Sequence, residues 1–533
     1  MPGIFGDHMV LQQEMKIPVW GWADPGEEVT VTFGTRTAKT KANAAGKWRV
    51  DLAQAEANHQ PQPLIVAGKN TLKFEDVLVG EVWLCSGQSN MEYGILTLKK
   101  YEELKDSEIR VFCLTKSASL TPMDNTTIVP HELIFDGSTG YWKKTPDAGS
   151  WNGFSAVGYL FGQRIREITG HPVGLIGSYW GGTPVQAWTS LSGLGSNPAL
   201  SRYVNVVQTL TQGQRDRYPV VWADFVAKMY KWSKEEWEPY NVAMRQWEAA
   251  AKKAREQGMP EPAKPQLAPQ PARPGNEGTP TTLFNGMIHP LIPYAIKGVI
   301  WYQGESNVGS PDYGVLFSTL ITDWRGQWGQ GNFPFLFVQI AGYGPTPGDG
   351  SRGNWAALRE SQTKALALPQ TGMAVAIDVG DQKDIHPRNK EPVAQRLALA
   401  AEHLAYGKKL VDNGPTYESM KVEKNGLRVT FKNVGSGLVL GIPPSLPGQP
   451  AAPAPGVLKG FEIAGTNQQW FVAQAVIDGP CVIVSCDQVV DPVAARYAWG
   501  DFPPCNLYNK EGLPAVPFRT DDWNPKAAFE TPE

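Results

Sequence analysis

Residues 5 to 78 alternate apolar and polar positions in short runs, Ile17 to Trp22, Glu28 to Phe33 and Lys47 to Leu52, with Pro25-Gly26 and Gly46 as turn signals between them. A period of two broken by turns predicts strands, and several short ones in succession predict a small β-sandwich over residues 1–78. From residue 79 the pattern changes. Apolar runs at Glu81 to Cys85, Val173 to Gly177, Ile296 to Tyr302, Phe335 to Ile340 and Met373 to Asp378 alternate with stretches of helical period. Ser155 is placed to cap a helix carrying Val157, Leu160, Phe161, Ile165 and Ile168 on one face, with Gly170 ending it. Tyr313, Leu316, Phe317, Leu320, Ile321 and Trp324 fall three and four apart, as do Val393, Leu397, Ala400 and Leu404. Strand and helix in alternation predict an α/β layer fold on a largely parallel sheet over residues 79–409.

Residues 190–283 interrupt this alternation with a helix-prone segment, Trp222 to Gln257, and a proline-rich stretch from Met259 to Gly278 that reads as an extended surface linker. After residue 410 the period returns to two in Leu427 to Phe431, Leu438 to Leu440 and Val482 to Val484, so residues 410–533 are expected to be β and to pack with the N-terminal region.

In an open α/β sheet the ligand site lies beyond the carboxyl ends of the strands. The segments there are Gly87-Gln88-Ser89-Asn90-Met91, Trp180-Gly181-Gly182-Thr183, Gln303-Gly304-Glu305-Ser306-Asn307 and Asp381-Gln382-Lys383-Asp384-Ile385-His386-Pro387. A serine hydroxyl needs a neighbouring base before it becomes a useful nucleophile, and histidine has the pKa nearest neutrality. Of seven histidines (His8, His59, His131, His171, His289, His386 and His403), His386 alone follows a predicted core strand and has acidic neighbours. Ser89 and His386 are therefore the candidate nucleophile and base. Ester hydrolysis also needs donors for an oxyanion, and the Ser89 and Gly181 amides and the Gln303 side chain are the candidates. Glu305 reads as a buried anchor for its loop, because no second carboxylate is paired with it.

Composition removes several alternatives. A net charge of -3 and a pI near 6.2 provide no basic field for nucleic acid, and no apolar run is long enough to span a bilayer. The serine stands in Gly-x-Ser-x-Met rather than the Gly-x-Ser-x-Gly elbow, and neither a phosphate-binding glycine loop nor a Cys-x-x-Cys pair is present. Five cysteines cannot all pair within the chain, and no signal peptide is visible at the first residues.

Together these segments resemble the sialate O-acetylesterase family, a branch of the SGNH (GDSL-like) hydrolases. The resemblance is carried by Gly87-Gln88-Ser89-Asn90-Met91, Trp180-Gly181-Gly182-Thr183-Pro184 with Ala187-Trp188, Trp301 to Asn307, and Asp384-Ile385-His386-Pro387-Arg388. The opening Ile4 to Gln12 is similar to the start of mature members, which implies a periplasmic or secreted protein. The family implies a three-layer α/β/α esterase domain with a parallel sheet, no metal and no cofactor, and an accessory jelly-roll-like β-sandwich formed by the N- and C-terminal regions. It implies attack by Ser89 on an acetyl carbonyl, proton transfer through His386, and oxyanion donation from Gly181 and Gln303. In the wider superfamily the triad acid stands three residues before the histidine, where this chain has Lys383. Asp384 is the favoured acid, Asp381 and a backbone carbonyl near Lys383 are the alternatives, and Arg388 and Asn307 are the substrate-binding candidates. Arg388 suits a sialate carboxylate or, equally, a surface pairing with Glu391. The expected partner is an acetylated sugar, with acetylated xylan or xyloglucan as the alternative to sialic acid, and a non-catalytic carbohydrate-binding protein as the alternative of another class.

Overall fold

A computed structural model describes residues 1–98, 106–126, 140–145, 153–210, 213–214, 224–225, 227–269, 271, 277–346, 353–424, 426–444 and 456–523. Six strands come first: β1 (Val10–Gln12), β2 (Ile17–Trp22), β3 (Glu28–Phe33), β4 (Arg36–Lys41), β5 (Lys47–Leu52) and β6 (Asn58–Ala67). β2 pairs antiparallel with β5, and β3 pairs antiparallel with both β4 and β6. Burial alternates along β3 and β5, as their period of two predicts.

The next strand, β7 (Thr71–Gly87), is 17 residues long and joins this region to the central sheet. Its first part pairs antiparallel with β6, setting Leu64 opposite Phe74, whereas every residue from Val77 onward is buried. The cause is in the sequence. Polar residues punctuate Thr71 to Asp76, and the nearly continuous apolar run that follows suits a strand covered on both faces. Residues 78 and 79 both lie inside this one strand.

Around β7 the central sheet adds β8 (Ile109–Cys113), β9 (Trp142–Lys144), β10 (Val173–Tyr179), β11 (Gly298–Tyr302), β12 (Phe335–Gln339) and β13 (Thr371–Val375). The order is β13-β12-β11-β7-β10-β8-β9, and all pairings are parallel except that of β9 with β8. β8 and β9 are not among the strands that the apolar pattern predicts. Adjacent residues of β7 enter different cores. Val82 and Leu84 join Leu316, Phe317 and Trp324 of the helix Tyr313–Trp328, while Trp83 and Cys85 join Val157 and Phe161 of the helix Ala156–Thr169 and Val393 and Leu397 of the helix Glu391–Leu404. Helices on both faces of a mostly parallel sheet make a three-layer α/β/α arrangement. Ser155 caps the helix Ala156–Thr169 by accepting from the Gly158 amide, and Gly170 ends it at φ 71°, as the sequence predicts.

C-terminal β structure consists of β14 (Thr416–Glu423), β15 (Gly426–Lys432), β16 (Leu438–Leu440), β17 (Phe461–Gly465), β18 (Trp470–Val472), β19 (Gln474–Asp478), β20 (Cys481–Ser485), β21 (Pro492–Tyr497), β22 (Leu507–Asn509) and β23 (Phe518–Arg519). Two four-stranded sheets, β14-β15-β20-β19 and β18-β17-β21-β23, lie beside the β16-β22 pair. Among the described residues no ladder joins these strands to β1–β6. They also bond to the central layer. Tyr508 donates to Asp378 at 2.9 Å, and Asp378 is held by two 2.7 Å bonds from Arg396. Fully buried Arg359 donates to the Gly500 and Asp501 carbonyls at 2.7 Å each.

In the interrupting segment, Trp222 lies outside the described residues, and a helix runs from Glu238 to Glu256. The proline-rich residues that follow turn back along this helical segment, where Trp247 donates its indole N–H to Pro262 and Trp232 to Ala268. No helix among the described residues is long and apolar enough to cross a membrane.

Candidate active site

Tyr179 of β10 and Tyr302 of β11 both stand in register with Gly87 of β7, so three adjacent strands finish level with one another. Gly87 must be glycine. Its φ is 136°, and a Cβ there would lie 2.1 Å from the Tyr302 carbonyl oxygen. The chain then enters one helical turn, Ser89–Glu92, which exposes part of Ser89 and buries Asn90. His386 arrives on the loop that follows β13 and the short turn Ile377–Val379. Its Nε2 lies 2.9 Å from Ser89 Oγ, which joins residues 297 positions apart. Burial, followed by the nearby Lys390 charge, pushes the His386 pKa below its usual value, so the imidazole is neutral and able to accept a proton near pH 7.

Asp384 Oδ1 accepts the backbone N–H of His386 at 2.9 Å and lies 3.6 Å from Nδ1, too far for a hydrogen bond to the ring. Asp384 thus fixes the loop and presents a carboxylate near the imidazole without gripping it. Asp381 accepts the Lys383 and Asp384 amides at 2.8 and 3.3 Å, closing the turn before the histidine.

Behind Ser89 lies a polar cluster in which Asn90 is the hub. Its Nδ2 donates to Glu305 at 2.5 Å and to the Ile385 carbonyl at 3.1 Å, and its Oδ1 accepts from Lys390 Nζ at 2.5 Å. The Lys390 ammonium lies over the rings of Tyr93 and Tyr302, 4.7 and 5.5 Å from their centroids. Burial dominates both charged groups: it brings Lys390 down to about 7 and pushes the Glu305 carboxyl up. Glu305 is the buried anchor expected of it, and its second oxygen is sealed without a hydrogen-bond partner.

Gly181 packs directly on Ser89, since a Cβ there would sit 3.2 Å from the Cβ of Ser89. Its N–H donates to Glu92 Oε2 at 2.6 Å, and Glu92 Oε1 in turn accepts from Lys116 Nζ at 2.5 Å. Gln303 differs from expectation: its amide donates to Asn307 Oδ1 at 2.8 Å and to the Thr183 carbonyl at 3.3 Å, so both hydrogens are engaged within the protein. Asn307 likewise accepts the Val185 amide and donates to Gln186, making these two side chains a brace between the loops after β10 and β11.

Residues 279–402 match the family model for carbohydrate esterase, sialic acid-specific acetylesterase. The chain is 34% identical to a carbohydrate acetylesterase from Xanthomonas citri, with a TM-score of 0.76 over 98% of this chain and 99% of that one. It is 30% identical to the sialate O-acetylesterase of Mus musculus over 96% of this chain and 92% of the mouse protein, and 29% identical to that of Homo sapiens over 96% and 90%. The chain belongs to the sialate O-acetylesterase family. It is accordingly a carboxylic ester hydrolase that deacetylates carbohydrate.

The matched segment of this sialate O-acetylesterase family member contains Gln303, Asn307, Asp384 and His386, while Ser89 and Gly181 lie outside it. Arg388 is exposed, and no carboxylate among the described residues lies within 4.0 Å of it, so the pairing with Glu391 is not formed; Glu391 accepts from Gln395 instead. The sequence reading did not single out Asn90, Glu92, Lys116 or Lys390. Asn90 and Glu92 are inside or beside the serine segment and were within reach. Lys116 and Lys390 carry no local signal, because only tertiary contact brings them to the site.

Proposed function

We propose that this esterase works through an acetyl-enzyme on Ser89 with His386 as its base. The observation that carries this reading is the 2.9 Å approach of Ser89 Oγ to His386 Nε2 at the carboxyl ends of the sheet. His386 takes the hydroxyl proton as Ser89 attacks the acetyl carbon, then returns it to the departing sugar oxygen. Water activated by the same imidazole releases acetate. The oxyanion is received by the amides of Ser89, at the start of a helical turn, and of Gly181. Asp384 supports the imidazolium electrostatically at 3.6 Å, and Gln303 and Asn307 act as supports for the loops.

The mouse and human relatives are named for sialate, and the exposed guanidinium of Arg388 suits a sugar carboxylate, which favours an acetylated sialic acid. Glu92 and Asp384 favour a second reading, an uncharged acetylated glycan such as xylan or xyloglucan, since carboxylates beside the nucleophile repel an anionic sugar. Ser89→Ala is expected to lower p-nitrophenyl acetate turnover at least ~100-fold, and retained turnover in that variant would refute the serine mechanism. Acetate release from acetylated sialic acid and acetylated xylan by the parent enzyme and by Arg388→Gln separates the substrates. Only a sialate reading has the variant raising KM for the anionic sugar alone.

A further inference from the structure

A carboxylate hydrogen-bonded to a candidate oxyanion donor is unexpected, because that donor's task is to meet a developing negative charge. Glu92 Oε2 sits 2.6 Å from the Gly181 nitrogen, the distance and charge that an acyl oxyanion would present there. Ser89 and Glu92 stand three apart on one helical turn and so share a face, and a Cβ on Gly181 would be 3.2 Å from both the Ser89 Cβ and the Glu92 carboxylate. The carboxylate therefore occupies space beside the nucleophile. Its other oxygen is held by Lys116, whose ammonium lies 5.9 Å from the centroid of the Trp180 ring. The side chains of Glu92 and Lys116 are 26% and 18% exposed, so the pair can be reached from solvent.

We propose that Glu92 is an internal anion that fills the oxyanion position of Gly181 in the empty enzyme and gives it up to the acetyl oxygen by shifting fully onto Lys116. This rests on the reading of Ser89 as nucleophile and Gly181 as donor. Substrate must displace a charge-assisted hydrogen bond before it can polarise its carbonyl, and that cost is set against binding. Lys116 lowers the cost by offering the displaced carboxylate a cation. Free acetate, the product, competes for the same donor and meets the same obstacle.

The two ends of the ion pair therefore act in opposite directions. Removing the internal anion in Glu92→Ala frees the Gly181 N–H, and KM for p-nitrophenyl acetate and Ki for acetate are both expected to fall about threefold or more. Glu92→Gln, which keeps a neutral acceptor, should lie between. Lys116→Met leaves the carboxylate only Gly181, and both constants are expected to rise. A simple brace for the Gly181 turn predicts that loss of either residue loosens the donor, raising KM in all three variants. Parallel shifts, or none, overturn the proposal. Labelling of the parent enzyme by a fluorophosphonate is measured alongside: parallel shifts in an enzyme that labels at Ser89 refute the Glu92 role alone, whereas a parent enzyme that does not label refutes the serine reading and this inference with it.

Discussion

Asn90 follows the candidate nucleophile and Ile385 precedes the candidate base, and the Asn90 amide donates to the Ile385 carbonyl at 3.1 Å. One side chain thus ties the loop after β7 to the loop after β13 while also holding Glu305 and Lys390.

Asn90→Ala should uncouple these loops. Loss of a buried hub that leaves polar partners unsatisfied costs about 1–3 kcal/mol for each group, so urea denaturation is expected to show a loss of about 2–4 kcal/mol. Turnover should fall further than stability requires, by about 10-fold or more at temperatures where the variant is fully folded, because a serine–histidine pair displaced by 1 Å loses rate steeply.

On the proposed mechanism the pH profile follows from His386. A histidine acts as base only when unprotonated, and its lowered pKa keeps it so at more acidic pH than usual. The acidic limb of kcat/KM should therefore have its midpoint below the ordinary histidine value of 6.5. Lys390, brought to about 7, carries its charge over that acidic range. Glu305, Asp384 and Glu92 also act on this region and are retained in Lys390→Met, which removes the repelling cation together with its hydrogen bond to Asn90. That variant should shift the limb upward by about half a pH unit or more.

Glu305→Gln tests the cost of burying an acid. A carboxyl whose pKa is raised on folding stabilises the fold below its unfolded value of 4.5 and loses that contribution as pH rises through the folded value. At pH 8 the unfolded glutamate is ionised and well solvated, which works against folding. Glutamine keeps an acceptor for Asn90 without the charge, so the melting temperature at pH 8 should rise by about 1–3 °C, with the gain shrinking toward pH 4.5.

The C-terminal latch gives a graded pair. Tyr508→Phe removes one hydrogen bond from Asp378 and is expected to cost about 1–2 kcal/mol in denaturant. Arg396→Met leaves a buried carboxylate without its cation, and a loss of about 3–5 kcal/mol is expected.

Much of this was legible in the chain. The strands around β7 announced themselves by apolar runs, and in a parallel sheet the residues that follow such runs gather at one edge, so Ser89, Gly181, Gln303 and His386 could be picked out without coordinates. Side-chain direction could not. Gln303 has the right position for an oxyanion donor, yet Asn307 and Thr183 claim its hydrogens, and Asp384 spends its oxygen on the His386 backbone. Lys390 was hidden for another reason: its meaning comes from burial against Tyr93, Tyr302 and an asparagine 300 positions away. β8 escaped notice because charged Arg110 interrupts its apolar run, and that charge is compensated in space by Asp76.

The length of β7 has a practical bearing on how the polypeptide can be divided. A fragment starting at residue 79 would begin midway through the strand that delivers Ser89, stripped of β1, which pairs with Leu78, Val79 and Gly80. Truncation there would fray the sheet at its central member, so the N-terminal strands cannot be treated as a detachable appendage when the enzyme is trimmed or fused to another protein.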